Sequence, residues 1–360
     1  MVHYRIITSL AVVLVLQLLL LLPVFESRPL PGTNSAGDVT GLSRGYMKSP
    51  VYGNGNQCEA LDKSLGFCDP SAIHVAMTLD SVYFRGTVAA VHSILRHTSC
   101  PENIHFHFVA ADSGCASSSL PMPEEYDVIL RSIFPSLSFK VYSFSTQRVR
   151  SLITSSIRRA LDNPLNYART YLADIIEPCV KRVIYLDSDV ILADDIQKLW
   201  SVRVTGDRVI GAPTYCHANF TNYFTDNFWS DPQLSKTFEG KKPCYFNTGV
   251  MIMELERWRK GSYTENIENW MEIQRERKIY SLGSLPPFLL VFGGDVEAIS
   301  HRWNQHGLGG DNVLNSCRSL HSGPVSLLHW SGKGKPWVRL DNGVPCPVDY
   351  LWAPHDLCRL

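Results

Sequence analysis

Two carboxylates, Asp187 and Asp189, flank Ser188 at the end of the apolar run Val183, Ile184, Tyr185 and Leu186. Such a run reads as a buried strand. In an open α/β sheet, the residues at a strand's carboxyl end face the crevice where ligands bind. Paired carboxylates offer oxygen ligands, which Mg²⁺ and Mn²⁺ prefer, and such a cation in turn holds a diphosphate. The chemistry this would serve is metal-assisted transfer from a nucleotide-activated donor. Asp and Ser are also common turn residues, so the same three positions would serve equally to close a strand without any ligand.

A second cluster runs from His329 through Trp330, Ser331, Gly332, Lys333, Gly334, Lys335 and Pro336 to Trp337, behind the apolar residues 325–328. A strand again delivers a potential ligand, His329, to its end. A neutral imidazole can complete a Mn²⁺ shell begun by two carboxylates, and Mn²⁺ tolerates nitrogen better than Mg²⁺ does. The glycines let backbone N–H groups approach a phosphate, and Lys335 supplies the counter-charge for a departing diphosphate. A surface turn with a solvated lysine and a packed histidine would read the same way. A third element, Asn247-Thr248-Gly249, places an amide and a glycine inside a predicted strand over 245–253. Glycine there marks either a plain bulge or a close ligand approach.

The elements that must position these residues alternate between strand and helix patterns. Buried strands are expected over 73–79, 104–110, 138–144 and 183–186, with helices over 84–97, 126–134 and 166–176 between them. Beyond Asp194 the spacing predicts a helix over 195–200, a strand over 208–213 and an amphipathic helix over 263–278. Aromatic and Gly/His/Trp-rich loops fill 215–229 and 293–337. This alternation predicts an α/β fold with a mostly parallel, Rossmann-like sheet flanked by helices.

The chain has 360 residues, 45% hydrophobic and 19% charged, enough to bury a large core. Its 34 basic and 34 acidic residues cancel, which excludes the electrostatic footprint of a nucleic-acid-binding protein. Residues 6–22 form an apolar stretch behind Arg5 that marks the secretory pathway. Bulky Phe25 spoils a cleavage site, so an uncleaved anchor with a cytosolic basic end and a lumenal remainder is expected. Ten cysteines agree with an oxidising compartment. Closeness in sequence points to Cys58/Cys68, Cys346/Cys358 and Cys216/Cys244 as pairs. Asn219-Phe220-Thr221 is a sequon for N-glycosylation if that segment is lumenal and exposed.

The ordered set Asp187-x-Asp189, Asn247-x-Gly249-x-Met251 and His329-x-x-Gly332-x-x-Lys335-Pro336-Trp337 resembles glycosyltransferase family 8. Tyr167-Ala168-Arg169 and the first strand with Thr78, Asp80 and Tyr83 match it too, so the resemblance spans residues 73–337. It implies a GT-A fold, a Mn²⁺ cofactor, a UDP-sugar donor and retention of anomeric configuration. Residues 285–290 and 302–309 resemble the plant galacturonosyltransferase group, and the short stem its galacturonosyltransferase-like branch. That implies UDP-galacturonate, a pectic or related cell-wall polysaccharide as acceptor, and a Golgi type II membrane protein with a lumenal catalytic domain, alone or in a transferase complex. The expected division is 1–27 cytosolic tip and signal-anchor or signal peptide, 28–70 stem, and 71–360 GT-A domain. The nucleotide-sugar half would end, and the acceptor half begin, at about residue 200.

Carried onto this chain, the resemblance makes Asp187, Asp189 and His329 metal ligands, with Asp187 also near the ribose. Thr78, Asp80 and Tyr83 would hold uracil and ribose. Gly332 and Lys335 would grip the diphosphate, Arg169 would orient the donor sugar or the carboxylates around it, and Asn247 and Gly249 would line the sugar pocket. Bacterial members carry an Asp-Gln pair near the reacting carbon, whereas this chain runs from Pro286 to Asp295 without one. That favours front-face substitution, with Asp295 the sole nearby carboxylate. Arg169 and Arg302 are the candidate cations for a galacturonate carboxylate. Another family 8 activity, or a catalytically silent partner that anchors an active transferase, are the rival readings.

Overall fold

The computed structural model describes residues 45–112, 121–155, 159–310, 317–318, 320 and 322–359. The expected membrane segment, the first part of the stem and Cys115 lie outside the described residues. Among the described residues, no helix is long and apolar enough to cross a membrane.

Among the described residues, eleven strands make two sheets. They are β1 (Ile73–Leu79), β2 (Ile104–Ala111), β3 (Ser138–Phe144), β4 (Val183–Leu186), β5 (Val190–Leu192), β6 (Ile210–Tyr215), β7 (Tyr245–Phe246), β8 (Val250–Met253), β9 (Glu297–Ile299), β10 (Gln305–His306) and β11 (Leu327–His329). The large sheet runs β3-β2-β1-β4-β8-β6-β7, with β9 beside β6. Its β3, β2, β1 and β4 are mutually parallel, whereas β8 is antiparallel to both β4 and β6. Strands from both sides of residue 200 therefore share one sheet. A small sheet, β10-β11-β5, pairs β11 antiparallel to β5 and parallel to β10.

The parallel strands read as continuous apolar runs because both of their faces are covered. Ala76, Val183 and Tyr185 face one core, while Val75, Met77, Ile184 and Leu186 face the other. The second core is closed by α1 (Phe84–His97) and α2 (Met122–Ile133). The first is closed by α3 (Tyr263–Arg277) and α4 (Leu285–Phe292). Gly86 lets α1 approach the turn that follows β4. A Cβ there would meet Ser188 O at 2.5 Å and the Trp337 ring at 2.8 Å.

Several elements differ from expectation. The predicted strand over 245–253 is two strands, β7 and β8, with Asn247, Thr248 and Gly249 between them. The predicted helix over 166–176 is mainly 3₁₀, Pro164–Tyr171, followed by one α-turn. Residues 286–292, left without an element, are α4, whose prolines occupy its first turn, where a missing N–H costs nothing.

The disulfides correct two pairings. Cys216–Cys244 forms as expected, but Cys58 pairs Cys100 and Cys68 pairs Cys179, and Cys346 pairs Cys317, leaving Cys358 without a disulfide among the described residues. Cysteines close in sequence are here separated in space, because residues 45–70 cross over the domain. The first two bonds clip that segment beside β2 and ahead of β4.

Candidate active site

The carboxyl ends of β1 and β4 open onto a cleft of about 450 Å³. It is lined by Thr78, Asp80 and Tyr83 after β1, by Asp187, Ser188 and Asp189 after β4, and by Asn247 and Thr248 between β7 and β8. Beside them come Arg169, and His329, Ser331 and Lys335 after β11. The residues expected in one site thus converge from sequence positions far apart.

Asp187, Asp189 and His329 each place one ligand atom within 4.8 Å of the others. His329 is fully buried, and its Nε2 lies 3.2 Å from Asp189 Oδ1 and 3.7 Å from Asp187 Oδ2. Despite that proximity Nε2 makes no hydrogen bond. A buried polar atom without a partner is costly, and a cation between the three groups would satisfy it. Gly249 supports the same reading. A Cβ there would press on Asp187 Oδ2, stand 2.5 Å from His329 Cε1, and so fill the space the three ligands enclose.

The tautomer of His329 follows from a backbone donor. The Gly249 N–H donates to Asn247 Oδ1 at 2.9 Å, which fixes the orientation of that amide. Asn304 Nδ2 donates to the same oxygen at 3.2 Å, so Asn304 turns its Oδ1 to His329 Nδ1 at 2.9 Å. Nδ1 therefore carries the proton, and Nε2 presents a lone pair, as a metal ligand must. Asn304 is 1% exposed.

The carboxylates are held by cations of their own. Arg169 is buried and donates from Nη1 to the Thr248 carbonyl at 2.7 Å, while its Nη2 lies 3.1 Å from Asp187 Oδ1. The Tyr185 hydroxyl donates to the same oxygen at 2.9 Å. Lys335 is ion-paired with Asp189, donates to the Trp330 carbonyl at 2.7 Å, and sits 5.2 Å above the Tyr83 ring. Burial pushes the Asp189 carboxyl up, but the Lys335 ammonium outweighs it and holds the group well below the usual carboxylate range. Asp80 accepts from the Val82 and Tyr83 N–H groups, yet burial still raises its pKa.

Other expected residues fall elsewhere. Gly332 is buried behind the lining, between Ser331 and Lys335. Asn219 is exposed and accepts from the Thr221 hydroxyl at 2.6 Å. Arg302 is outside the lining, bonded to Asp194 at 2.7 Å. Asp295 is 61% exposed and 3.9 Å from Arg208. Asn163, Asn166 and residues 282–285, which also line the cleft, carry no spacing signal. Asn304 lies in the run 302–309 that resembles the plant group, where the sequence alone gives it no role.

The model of Glycosyl transferase family 8 matches residues 74–341. "Probable galacturonosyltransferase-like 10" of Arabidopsis thaliana is 67% identical over 88% of this chain and 85% of its own length. "Probable galacturonosyltransferase-like 9" of the same plant is 61% identical over 94% and 88%. Among solved structures, the galactosyltransferase LgtC in complex with donor and acceptor sugar analogs superposes with a TM-score of 0.58. That match covers 79% of this chain and 95% of that one at 19% identity, a likeness of fold alone. The architecture is the GT-A arrangement of a glycosyltransferase, a mostly parallel α/β sheet with flanking helices. The chain belongs to glycosyl transferase family 8.

Proposed function

We propose that this enzyme transfers galacturonate from UDP-galacturonate to a pectic or related cell-wall polysaccharide, with retention and with Mn²⁺, from the Golgi lumen. The observation that carries the reading is the orphaned His329 Nε2, turned by Asn304 toward Asp187 and Asp189. The names of the relatives supply the sugar. The ten cysteines and the apolar residues 6–22 support a type II protein with a lumenal domain, in which exposed Asn219 carries an N-glycan.

Asp187, Asp189 and His329 would hold the cation, and two carboxylates with one imidazole suit Mn²⁺. When bound, that ion neutralises the diphosphate and stabilises it as a leaving group. Thr78, Asp80 and Tyr83 receive uracil and ribose. Asn247 and Gly249 border the sugar, and Arg169 keeps Asp187 in place. Lys335, with Gly332 beside it, gives the departing β-phosphate a buried positive charge. No Asp-Gln pair follows Pro286, and α4 buries that stretch in the core. The acceptor hydroxyl therefore attacks C1 on the leaving-group side. Its oxygen bonds to C1 as the C1–O bond to UDP breaks, and its proton passes to the phosphate oxygen released.

One observation favours a second donor, a neutral UDP-sugar. Arg169 and Lys335, the arginine and lysine among the described lining residues, are each already paired with a carboxylate. The test incubates the full-length chain with Mn²⁺, a panel of UDP-sugars, and oligogalacturonide and xylan acceptors. Turnover with UDP-galacturonate supports the proposal, and turnover with UDP-xylose or UDP-glucose alone establishes the second donor. A folded chain that binds UDP and turns over no pair is a silent partner of another transferase. Asp189→Ala is expected to abolish Mn²⁺-dependent UDP binding.

A further inference from the structure

Beside the cleft, outside its lining, six rings form a continuous shelf at the β6, β7 and β10 edge. Tyr215 stacks on His301 with centroids 4.7 Å apart and meets His306 edge-on at 4.8 Å. His217 and Tyr245 adjoin Tyr215 at 6.1 and 5.8 Å. Tyr245 lies face to face with Tyr223 at 5.1 Å. His217 and His301 are exposed, and Tyr223, Tyr245 and His306 are half-buried. The Cys216–Cys244 disulfide clamps the paired strand ends that carry Tyr215 and Tyr245.

Two connections tie the shelf to the cleft. Tyr245 lies two residues before Asn247, which lines it. Gly307, next to His306, donates its N–H at 2.9 Å to Ser331, another lining residue. Gly307 has φ 78°, so the chain turns there as an ordinary side chain rarely permits. The shelf is therefore held in register with the site.

The segments that carry its rings are basic, with the exposed carboxylates of Asp226 and Glu239 just outside them. Residues 214–224, 241–247 and 301–310 contain no Asp or Glu, although they contribute Lys241, Lys242, Arg302 and the three histidines. Arg302 is consumed by Asp194, but Lys241 and Lys242 are exposed just ahead of Cys244. Aromatic faces attract the weakly positive C–H faces of pyranose rings, and exposed lysines attract a polyanion.

We propose that this shelf binds the acceptor chain, and that the chain is an acidic glycan. Pyranose rings stack on Tyr223, Tyr245 and His306, Lys241 and Lys242 face uronate carboxylates, and the terminal hydroxyl enters the cleft past Asn247. The proposal rests on the transferase reading above. Its test measures equilibrium binding, so the two can fail separately. A de-esterified oligogalacturonide, a neutral xylo-oligosaccharide and UDP with Mn²⁺ are titrated into the full-length chain. Tyr223→Ala and the double variant Lys241→Gln, Lys242→Gln are each expected to weaken the oligogalacturonide about tenfold, with UDP affinity unchanged. Tyr223→Phe keeps the ring and is expected to bind as the wild type does. Equal oligogalacturonide binding by wild type and both weakened variants would overturn the shelf. So would no oligogalacturonide binding at all, or xylo-oligosaccharide binding as tightly. A chain that binds the oligogalacturonide through these residues yet transfers no sugar retains the shelf and refutes the transferase reading.

Discussion

Replacing Asn304 with Ala tests the orientation of His329 directly. The change removes the acceptor for His329 Nδ1–H at 2.9 Å and one of the two donors to Asn247 Oδ1. A buried donor left unsatisfied costs about 1–3 kcal/mol, which a domain with a typical stability of about 5–15 kcal/mol survives. The larger consequence falls on metal binding. With Nδ1 released, the imidazole can place its proton on Nε2, and that tautomer cannot ligate. Loss of such an orienting partner lowers metal affinity about 10–100-fold, or roughly 1.4–2.7 kcal/mol. The assay counts free Mn²⁺ by electron paramagnetic resonance during titration of the full-length chain with UDP present. Asn304→Asp is the informative companion. Its carboxylate still accepts from Nδ1–H, so metal affinity stays within about threefold of wild type. Its lost hydrogen bond to Asn247 lowers stability by about 1 kcal/mol. Wild-type affinity in Asn304→Ala, or equal losses in the Ala and Asp variants, would refute the tautomer argument.

Gly249→Ala is expected to abolish Mn²⁺-dependent UDP binding in calorimetry, because its Cβ would stand 2.5 Å from His329 Cε1. Overpacking of this kind also destabilises by about 1–3 kcal/mol, and wild-type binding would show that the ligands yield instead. His74 and His105 are both pushed down to about 4 chiefly by burial, to which His105 adds at His74 and which Glu177 opposes at His105. Folded pKa values below the unfolded one mean stability present above about pH 6.5 and lost as pH falls toward 4. Urea unfolding is expected to show about 2 kcal/mol lost per imidazole between pH 7 and pH 5, and a flat profile would contradict it. Cys179→Ala opens the bond to Cys68, which spans 111 residues, and should cost about 2–5 kcal/mol. Thermal melting compares it with Cys358→Ala, which breaks no disulfide.

The ligands were legible because their carriers announce themselves. Four apolar residues followed by Asp187, and another apolar run followed by His329, state both the strand and the direction in which its end points. Lys335 and Gly249 were legible as types, since a phosphate needs a cation and a close approach needs a missing Cβ. Partners across the sheet were not. Cys58 and Cys68 are neighbours in sequence, but the chain between them turns each toward a different strand. Pro286 and Pro287 read as breakers, yet in the first turn of α4 they suit a helix. Asn304 is the sharpest case. It is placed by the parallel register of β10 on β11, in which His306 faces His329, and no local spacing encodes that register. A metal ligand is chosen by its chemistry, which a residue letter shows. Its orienting partner is chosen by position, and an amide in a loop becomes that partner only once two strands from distant parts of the chain have paired. Sequence therefore names the atoms that would hold the cation, whereas the tautomer that makes one of them able to do so is a property of the folded sheet.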